Sequence, residues 1–126
     1  MLYEGTVDEA LQIVKAVRDR YSRVRRSPWN KVECGDHYVR SMSSWSLLEA
    51  AVGYRYDAAK GLIGFAPRLS PDNFRAFFIT AAGWGTFSQR RTGGREIDSL
   101  SLAYGELELR TLMFQRSDGR GTRLAA

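Results

Sequence analysis

The sequence predicts an α+β chain in which two helices precede about six short strands. Apolar residues recur at helical spacing from Val7 to Tyr21 and again from Tyr38 to Val52. After Gly53 they alternate with polar residues over short runs that glycine or proline bounds, which is typical of strands. We therefore expect a helical part at residues 1–53, an antiparallel β segment at 54–114 and a flexible polar tail at 115–126.

The first helix is predicted to begin directly after the amino-terminal residues. Thr6 and Glu9 have the spacing of a capping box, in which each side chain bonds the other residue's backbone N–H. The apolar stripe then continues to about Val24. Pro28 cannot extend a helix, so the helix should end before it.

The second helix is predicted to begin at Asp36, an N-cap that follows Gly35, and to stop near Gly53. One stripe of this helix is apolar and comprises Tyr38, Met42, Trp45, Leu48 and Val52. An adjacent stripe is polar and comprises His37, Arg40, Ser41 and Ser44. Such a helix, entered from an acidic loop, is typical of the wall of a polar pocket.

The strands are predicted from alternation and from turn residues. They are expected at 54–57 and 62–66 around a turn, then at 74–79, 83–87, 99–104 and 106–111. Gly105 lies between the last two runs, which predicts that they pair as a hairpin, and Arg90 to Gly94 is predicted to be a loop. Trp84 and the phenylalanines are predicted to be core residues rather than a stacking platform.

Length and composition limit the possible classes of protein. A chain of 126 residues forms one domain or less. Its net charge of +5 permits acidic partners, and seven of its 19 basic residues lie between Arg18 and Arg40. One cysteine excludes an internal disulfide and fits a reducing compartment. There is no apolar run that could span a membrane and no signal-peptide pattern, which predicts a cytoplasmic protein.

Three kinds of chemistry are conceivable between residues 33 and 37. Glu33 and Asp36 form a carboxylate pair, but such spacing is common and Asp36 already serves as a cap. Cys34 and His37 with these carboxylates match no standard metal-ligand spacing, so no metal and no cofactor is expected. A Cys34–His37 nucleophile–base pair is weak as well, because close neighbours in sequence rarely have the required geometry.

The same stretch carries a resemblance to a known family. Its motifs are Pro28-Trp29-Asn30, Glu33-Cys34-Gly35, His37-Tyr38, Arg40, Met42 and Ser44-Trp45. They resemble a motif of glycoside hydrolase family 116, which contains β-glucosidases and the bile-acid β-glucosidase, or non-lysosomal glucosylceramidase. Residues 2–5 and 13–21 fit the preceding helix, and residues 64–68 and 83–87 resemble a tail of bacterial relatives. The resemblance extends to about Leu112.

The resemblance implies that this chain is a fragment. The family's catalytic domain is an (α/α)6 toroid, and the first 53 residues look like a helical hairpin from its C-terminal end. The nucleophile glutamate and the acid/base aspartate lie on upstream segments, and nothing here matches them. The implied chain contributes the substrate-binding residues Glu33, His37 and Arg40, and is expected to be inactive alone. Its implied partners are a β-glucoside, the upstream part of the catalytic domain, or a second copy through self-association.

Alternatives remain for each of these residues. Relatives usually have an acidic residue where this chain has Lys31, so the sugar contact is lost if that residue, rather than Glu33, is the hydroxyl acceptor. Arg40 offers five donors in a fixed fork, which suits either sugar hydroxyls or an ion pair with Glu33 or Asp36. His37 is more often a satisfied core histidine, and Trp45 a core residue. A rival hypothesis is a small stand-alone protein that binds a sugar or an acidic partner, which the basic cluster and the start at Met1 favour.

Overall fold

The computed structural model describes residues 1–20, 42–115 and 121–125. The chain divides into two units, residues 1–50 and 51–126. The elements are α1 (Val7–Arg18), α2 (Met42–Val52), β1 (Arg55–Asp57), β2 (Leu62–Phe65), β3 (Asn73–Ile79), β4 (Gly83–Thr92), β5 (Arg95–Gly105), β6 (Thr111–Gln115) and β7 (Gly121–Ala125).

Helix α1 begins where the sequence predicts, but its cap differs. The Thr6 side chain makes no capping bond to the helix; its hydroxyl donates instead to the Met1 carbonyl at 3.1 Å. The predicted capping box is therefore wrong, because the amino-terminal turn already uses this hydroxyl. Asp8 and Glu9 in the first turn and basic residues in the last turn still interact favourably with the helix dipole. The helix ends at Arg18, before the predicted end at Val24.

The small core of the first unit consists of Leu2, Ala10 and Ala50, with Val7 packed against it. Ala10 of α1 and Ala50 of α2 both belong to this core. Other apolar residues of α1 remain exposed, namely Leu11 (39% exposed), Ile13 (52%) and Val17 (48%). Self-association through this helix stays a prediction, since no partner chain is present.

Helix α2 ends at Val52, and Gly53 follows with φ +61°, so the predicted C′ glycine is confirmed. The strict need for glycine comes from the next segment. A Cβ at Gly53 would lie 2.2 Å from the Ala66 carbonyl oxygen, because the Ala66 N–H donates to the Val52 carbonyl at 3.0 Å. The predicted start of this helix at Asp36 lies outside the described residues. Trp45 is 50% exposed, so the expectation of a core residue is wrong.

The first sheet has the order β1-β2-β6-β7. Strand β1 pairs antiparallel with β2 around the predicted turn at 58–61, and β6 pairs antiparallel with β7. Strand β2, however, runs parallel to β6, so the sheet is mixed rather than antiparallel as predicted. Strand β7 occupies residues 121–125, inside the segment for which the sequence predicts a tail.

The second sheet is an antiparallel meander with the order β3-β4-β5. Strand β4 continues to Thr92 and turns at Gly93 and Gly94, whose φ values are +58° and +76°. Two successive residues with positive φ match the twist of a two-residue hairpin, so the predicted loop at 90–94 is mostly strand. The predicted hairpin about Gly105 is also wrong, because β5 pairs with β4 and β6 pairs with β2 and β7.

Phenylalanine side chains join the two sheets within the second unit. Phe65 of the first sheet stacks on Phe87 of the second, with ring centroids 4.1 Å apart. Phe78 meets Phe65 edge-on at 5.9 Å, and Phe114 stacks on Phe87 at 5.8 Å. Phe65, Phe78 and Phe87 are at most 2% exposed. The prediction that the phenylalanines form the core is confirmed for these three and wrong for Phe77, which is 47% exposed.

The predicted helical hairpin from an (α/α)6 toroid is wrong. The described residues form a small β-rich structure with two helices, one of them only 11 residues long, and seven strands in two sheets. The reason is that most residues after Gly53 lie in strands, where alternation with a period of two places apolar side chains on sheet faces. No helix within the described ranges is long and apolar enough to cross a membrane.

Candidate functional site

The three strands of the second sheet present one face to the phenylalanine core and the opposite face outward. Burial alternates along β4, where residues 83, 85, 87 and 89 are buried and the residues between them are not. We call the opposite side the outer face. Its members are Asn73, Arg75, Phe77 and Ile79 of β3, Trp84, Thr86, Ser88, Arg90 and Thr92 of β4, and Arg95, Ile97, Ser99, Ser101 and Tyr104 of β5.

One end of the outer face is aromatic. The strand register places Ile79 and Tyr104 on either side of Trp84. The Trp84 and Tyr104 rings lie nearly parallel, with centroids 4.5 Å apart and an angle of 21° between their planes. Trp84 is nevertheless 49% exposed and Tyr104 63% exposed. The prediction that Trp84 is a core residue is therefore wrong, and the pair forms an open aromatic surface.

A β-bulge places Tyr104 on this face. Gly85 pairs with Leu102 while Trp84 pairs with Tyr104, so Ala103 is an extra residue in β5. Without it, strict alternation from Ser101 would turn Tyr104 toward the inner face. The strands also approach closely here, because a Cβ at Gly85 would lie 2.0 Å from the Ser101 carbonyl oxygen. The glycine and the bulge together create the Trp84–Tyr104 pair.

The middle of the outer face consists of hydroxyl side chains. Thr86 pairs with Ser101, and Ser88 pairs with Ser99 on the neighbouring strand. Each hydroxyl can donate one hydrogen bond and accept others. Both serines of β5 are exposed and the two β4 residues are half-buried. The aromatic pair is therefore followed by a strip that can exchange hydrogen bonds with a polar ligand.

The far end of the outer face is basic. Arg75 lies opposite Ser88, Arg90 opposite Ile97, and Arg95 opposite Thr92. No aspartate or glutamate occupies an outward position of these three strands, because Glu96 and Asp98 alternate onto the inner face. On that inner side the guanidinium of Arg91 donates to Glu96 and to the Gln115 carbonyl. The outer face of these strands therefore carries arginines and no carboxylates, whereas the inner face carries both.

A buried polar cluster lies on the inner side, under the basic end. Gln89 is 1% exposed, and its Nε2 donates to the Pro71 carbonyl at 2.8 Å. Its Oε1 and the Oδ1 of Asp98, the residue opposite in the register, have no hydrogen-bond partner among the described residues. Burial raises the pKa of Asp98 to about 6, and the neighbouring Glu96 carboxylate adds to the shift. We regard this cluster as structural support for the hairpin.

The residues predicted to bind substrate, Glu33, His37 and Arg40, lie outside the described residues, as do Cys34 and Asp36. The structure therefore neither brings them together nor separates them. Within the described ranges, no group of three or more histidine, cysteine, aspartate or glutamate side chains could hold a metal ion.

The outer face was not predicted from the sequence, because alternation along a strand does not show which face of the sheet other elements cover. A signal was available at Gly83-Trp84-Gly85, where a tryptophan alternates with two residues that have no side chain to bury. The position of Tyr104 could not be found in this way, since the bulge depends on the partner strand.

The sequence was also compared with known proteins. No model of a known protein family matches the chain, and no curated protein matches it significantly. The family resemblance of residues 28–45 therefore stays a prediction.

Proposed function

We propose that this chain is a saccharide-binding part of a β-glucosidase-like glycoside hydrolase, and that the outer face is its binding surface. The observation that carries the proposal is the exposed Trp84–Tyr104 pair beside a strip of serine and threonine hydroxyls. The resemblance of residues 28–45 supplies the substrate class, a β-glucoside or related glycoside.

The chemistry of a pyranose suits such a surface. A β-linked glucose ring has two faces of C–H groups and a rim of equatorial hydroxyls. The C–H face loses contact with water when it packs on an aromatic ring, which is favourable. The hydroxyl rim needs donors and acceptors beside that ring, because polar groups that lose water without a partner are costly. Trp84 and Tyr104 meet the first requirement, and Ser99 and Ser101 meet the second.

Binding and catalysis are separate in this proposal. Hydrolysis by a retaining glycosidase needs a nucleophile and an acid/base carboxyl group on the two sides of the glycosidic bond. The outer face has no carboxylate, and the resemblance implies that the catalytic pair lies upstream. The pure chain should therefore bind a β-glucoside without hydrolysing an aryl β-glucoside. If the pure chain hydrolysed an aryl β-glucoside and Glu33→Gln abolished this activity, the separation of binding from catalysis would be wrong.

The binding experiment compares two tryptophans of equal exposure. Trp84 is 49% exposed on the outer face, and Trp45 is 50% exposed in α2. We expect Trp84→Ala to weaken the binding of cellohexaose, a β-1,4-linked glucose hexamer, by about tenfold or more, and Trp45→Ala to leave it unchanged. Isothermal titration calorimetry measures both affinities. If Trp84→Ala binds as well as the unmodified protein, the outer face is not the saccharide site.

Tyr104→Phe serves as a second control at the same site. It keeps the ring and its stack on Trp84 but removes the hydroxyl. We expect affinity close to that of the unmodified protein for Tyr104→Phe and a loss similar to that of Trp84→Ala for Tyr104→Ala. Equal losses in both tyrosine variants would assign the contact to the hydroxyl rather than to the ring.

The rival function is a stand-alone protein that binds an acidic partner. The outer face supports it only through the arginines at the basic end, whereas the aromatic end favours a ring-shaped ligand. The two functions differ in their response to salt. Binding through phosphate contacts weakens steeply as salt rises, while stacking and hydrogen bonds to a neutral sugar change little.

A further inference from the structure

We propose that the saccharide bound by the outer face is anionic, a polymer of uronic or similarly charged sugars, with its acidic groups held by Arg75, Arg90 and Arg95. This inference rests on the proposed saccharide binding and adds the charge of the ligand. It arises from the segregation of charge between the two faces of one sheet, which neutral sugar binding does not require.

The three arginines lie on the same face as the aromatic pair, one on each strand. Trp84 and Arg90 are six residues apart on the same strand, which corresponds to about 20 Å at roughly 3.4 Å per residue. Arg75 lies on β3 opposite Ser88, four residues before Ile79. Arg95 lies on β5 opposite Thr92, which follows Arg90 by two residues on β4. A polymer that runs along β4 from the aromatic end would meet the hydroxyl strip and then the arginines. The site is therefore long enough for several sugar units.

The guanidinium groups are available for such a ligand. None of the three forms an ion pair with any residue in the described part of the chain, whereas Arg91, on the inner side, is paired with Glu96. Guanidinium presents a rigid fork of donors that matches the two oxygens of a carboxylate or a sulfate.

The distribution of charge argues against a merely solvated face. Surfaces that serve only solubility mix both signs, and like charges without partners repel one another. In the three strands both signs are present, but the carboxylates lie on the inner side and three of the four arginines lie on the outer side. A face with a single sign of charge and an open aromatic end has complementarity to an anionic, ring-containing polymer.

The experiment uses two hexamers that differ only at C6. Cellohexaose is neutral, and the β-1,4-linked hexamer of glucuronic acid has the same backbone with a carboxylate on each ring. We expect the uronate to bind about tenfold tighter than cellohexaose at about 20 mM salt, and this advantage to shrink at about 500 mM salt. In Arg75→Gln/Arg90→Gln the uronate should bind no tighter than cellohexaose.

A matched double variant controls for net charge. Arg20→Gln/Arg55→Gln removes two exposed arginines that lie outside the outer face, and it should keep the preference for the uronate. Circular dichroism of each variant checks that the fold is retained. A loss of preference in this control equal to that in Arg75→Gln/Arg90→Gln would show that net charge, and not the site, attracts the ligand, and the inference would be wrong.

The remaining outcomes separate this inference from the proposed function. Equal affinity for both hexamers, lost in Trp84→Ala, would overturn the anionic ligand and leave saccharide binding intact. No binding of either hexamer would overturn both. A single-stranded dT12 oligonucleotide that binds tighter than the uronate, with dependence on Trp84 and Arg90, would identify a nucleic acid as the ligand and would also overturn both.

Discussion

Both faces of the sheet β3-β4-β5 carry large aromatic side chains, but these rings have opposite surroundings. On the inner face, Phe78 is 2% exposed and Phe87 is 0% exposed. On the outer face, Trp84 is 49% exposed and Tyr104 is 63% exposed, although both are larger than phenylalanine. Alternation separates the two faces but does not decide which of them is covered. The inner face is covered because the first sheet supplies Phe65 and Phe114, which stack on Phe87.

The largest expected effect tests whether the inner face supports the fold. Phe87→Ala removes a ring in contact with Phe65, Phe74 and Phe114, so it should lower the free energy of unfolding by about 3–5 kcal/mol. Trp84→Ala removes a larger ring from the outer face, yet it should cost only about 1 kcal/mol, from the lost stack on Tyr104. Urea unfolding followed by circular dichroism measures both. Equal losses would mean that the outer face is covered in solution.

The next-largest expected effect concerns the close approach of the β4 and β5 backbones at Gly85. Gly85→Ala would place a Cβ 2.0 Å from the Ser101 carbonyl, so β5 must shift away from β4. We expect a loss of about 2–3 kcal/mol, together with weaker saccharide binding because the Trp84–Tyr104 pair is displaced. Gly121→Ala is the control, since a Cβ there meets no atom within 4 Å. Thermal melting compares the two. A Gly85→Ala protein as stable as Gly121→Ala would contradict the close approach at the bulge.

The smallest effect concerns the buried polar cluster and depends on pH. The pKa of Asp98 is raised from 3.8 to about 6 in the folded protein, first by desolvation and then by Glu96. The folded state therefore binds this proton more tightly than the unfolded state. Its contribution to stability is complete below about pH 4, decreases as the pH rises through about 6, and is absent above that range.

Asp98→Asn should remove this pH dependence. The amide is neutral at every pH, and its NH2 group can donate to the unpartnered Oε1 of Gln89. We expect a gain of about 1 kcal/mol at pH 7.5, less than a two-unit shift implies, because the carboxyl is partly solvated. Asp72→Asn, an exposed carboxylate of the same unit, controls for net charge. A variant as pH-dependent as the unmodified protein would show that Asp98 is not the titrating group.

Elements that depend on residues close together in the sequence were predicted well. The end of α2 followed from Gly53, whose positive φ suits a residue without a side chain. The strand at 74–79 and the turn at 58–61 followed from alternation and turn residues. Phenylalanines 65, 78 and 87 were correctly predicted to be core residues.

Strand pairing was not predictable in the same way, because it depends on distant partners. Gly105 lies between two apolar runs and indicates a hairpin, yet β6 pairs in parallel with β2, about 50 residues earlier. A non-local pair of this kind leaves no mark within a short window of sequence. Trp84 was placed in the core for a related reason, since its exposure depends on whether another element covers it, and none of the described elements does. The family resemblance misled the fold prediction, because its most specific motifs lie before Gly53, whereas all strands of the described residues lie after it.

The central claim is that the outer face, rather than the segment with Glu33 and Arg40, is where this chain binds saccharide. NMR chemical-shift mapping with 15N-labelled protein and cellohexaose tests it most directly, because it reports on every backbone amide and on each tryptophan indole. We predict that the shifts concentrate at the Trp84 indole N–H and at the amides of Ser99, Ser101 and Tyr104. Shifts confined to residues 31–45, with the outer face unchanged, would contradict the claim.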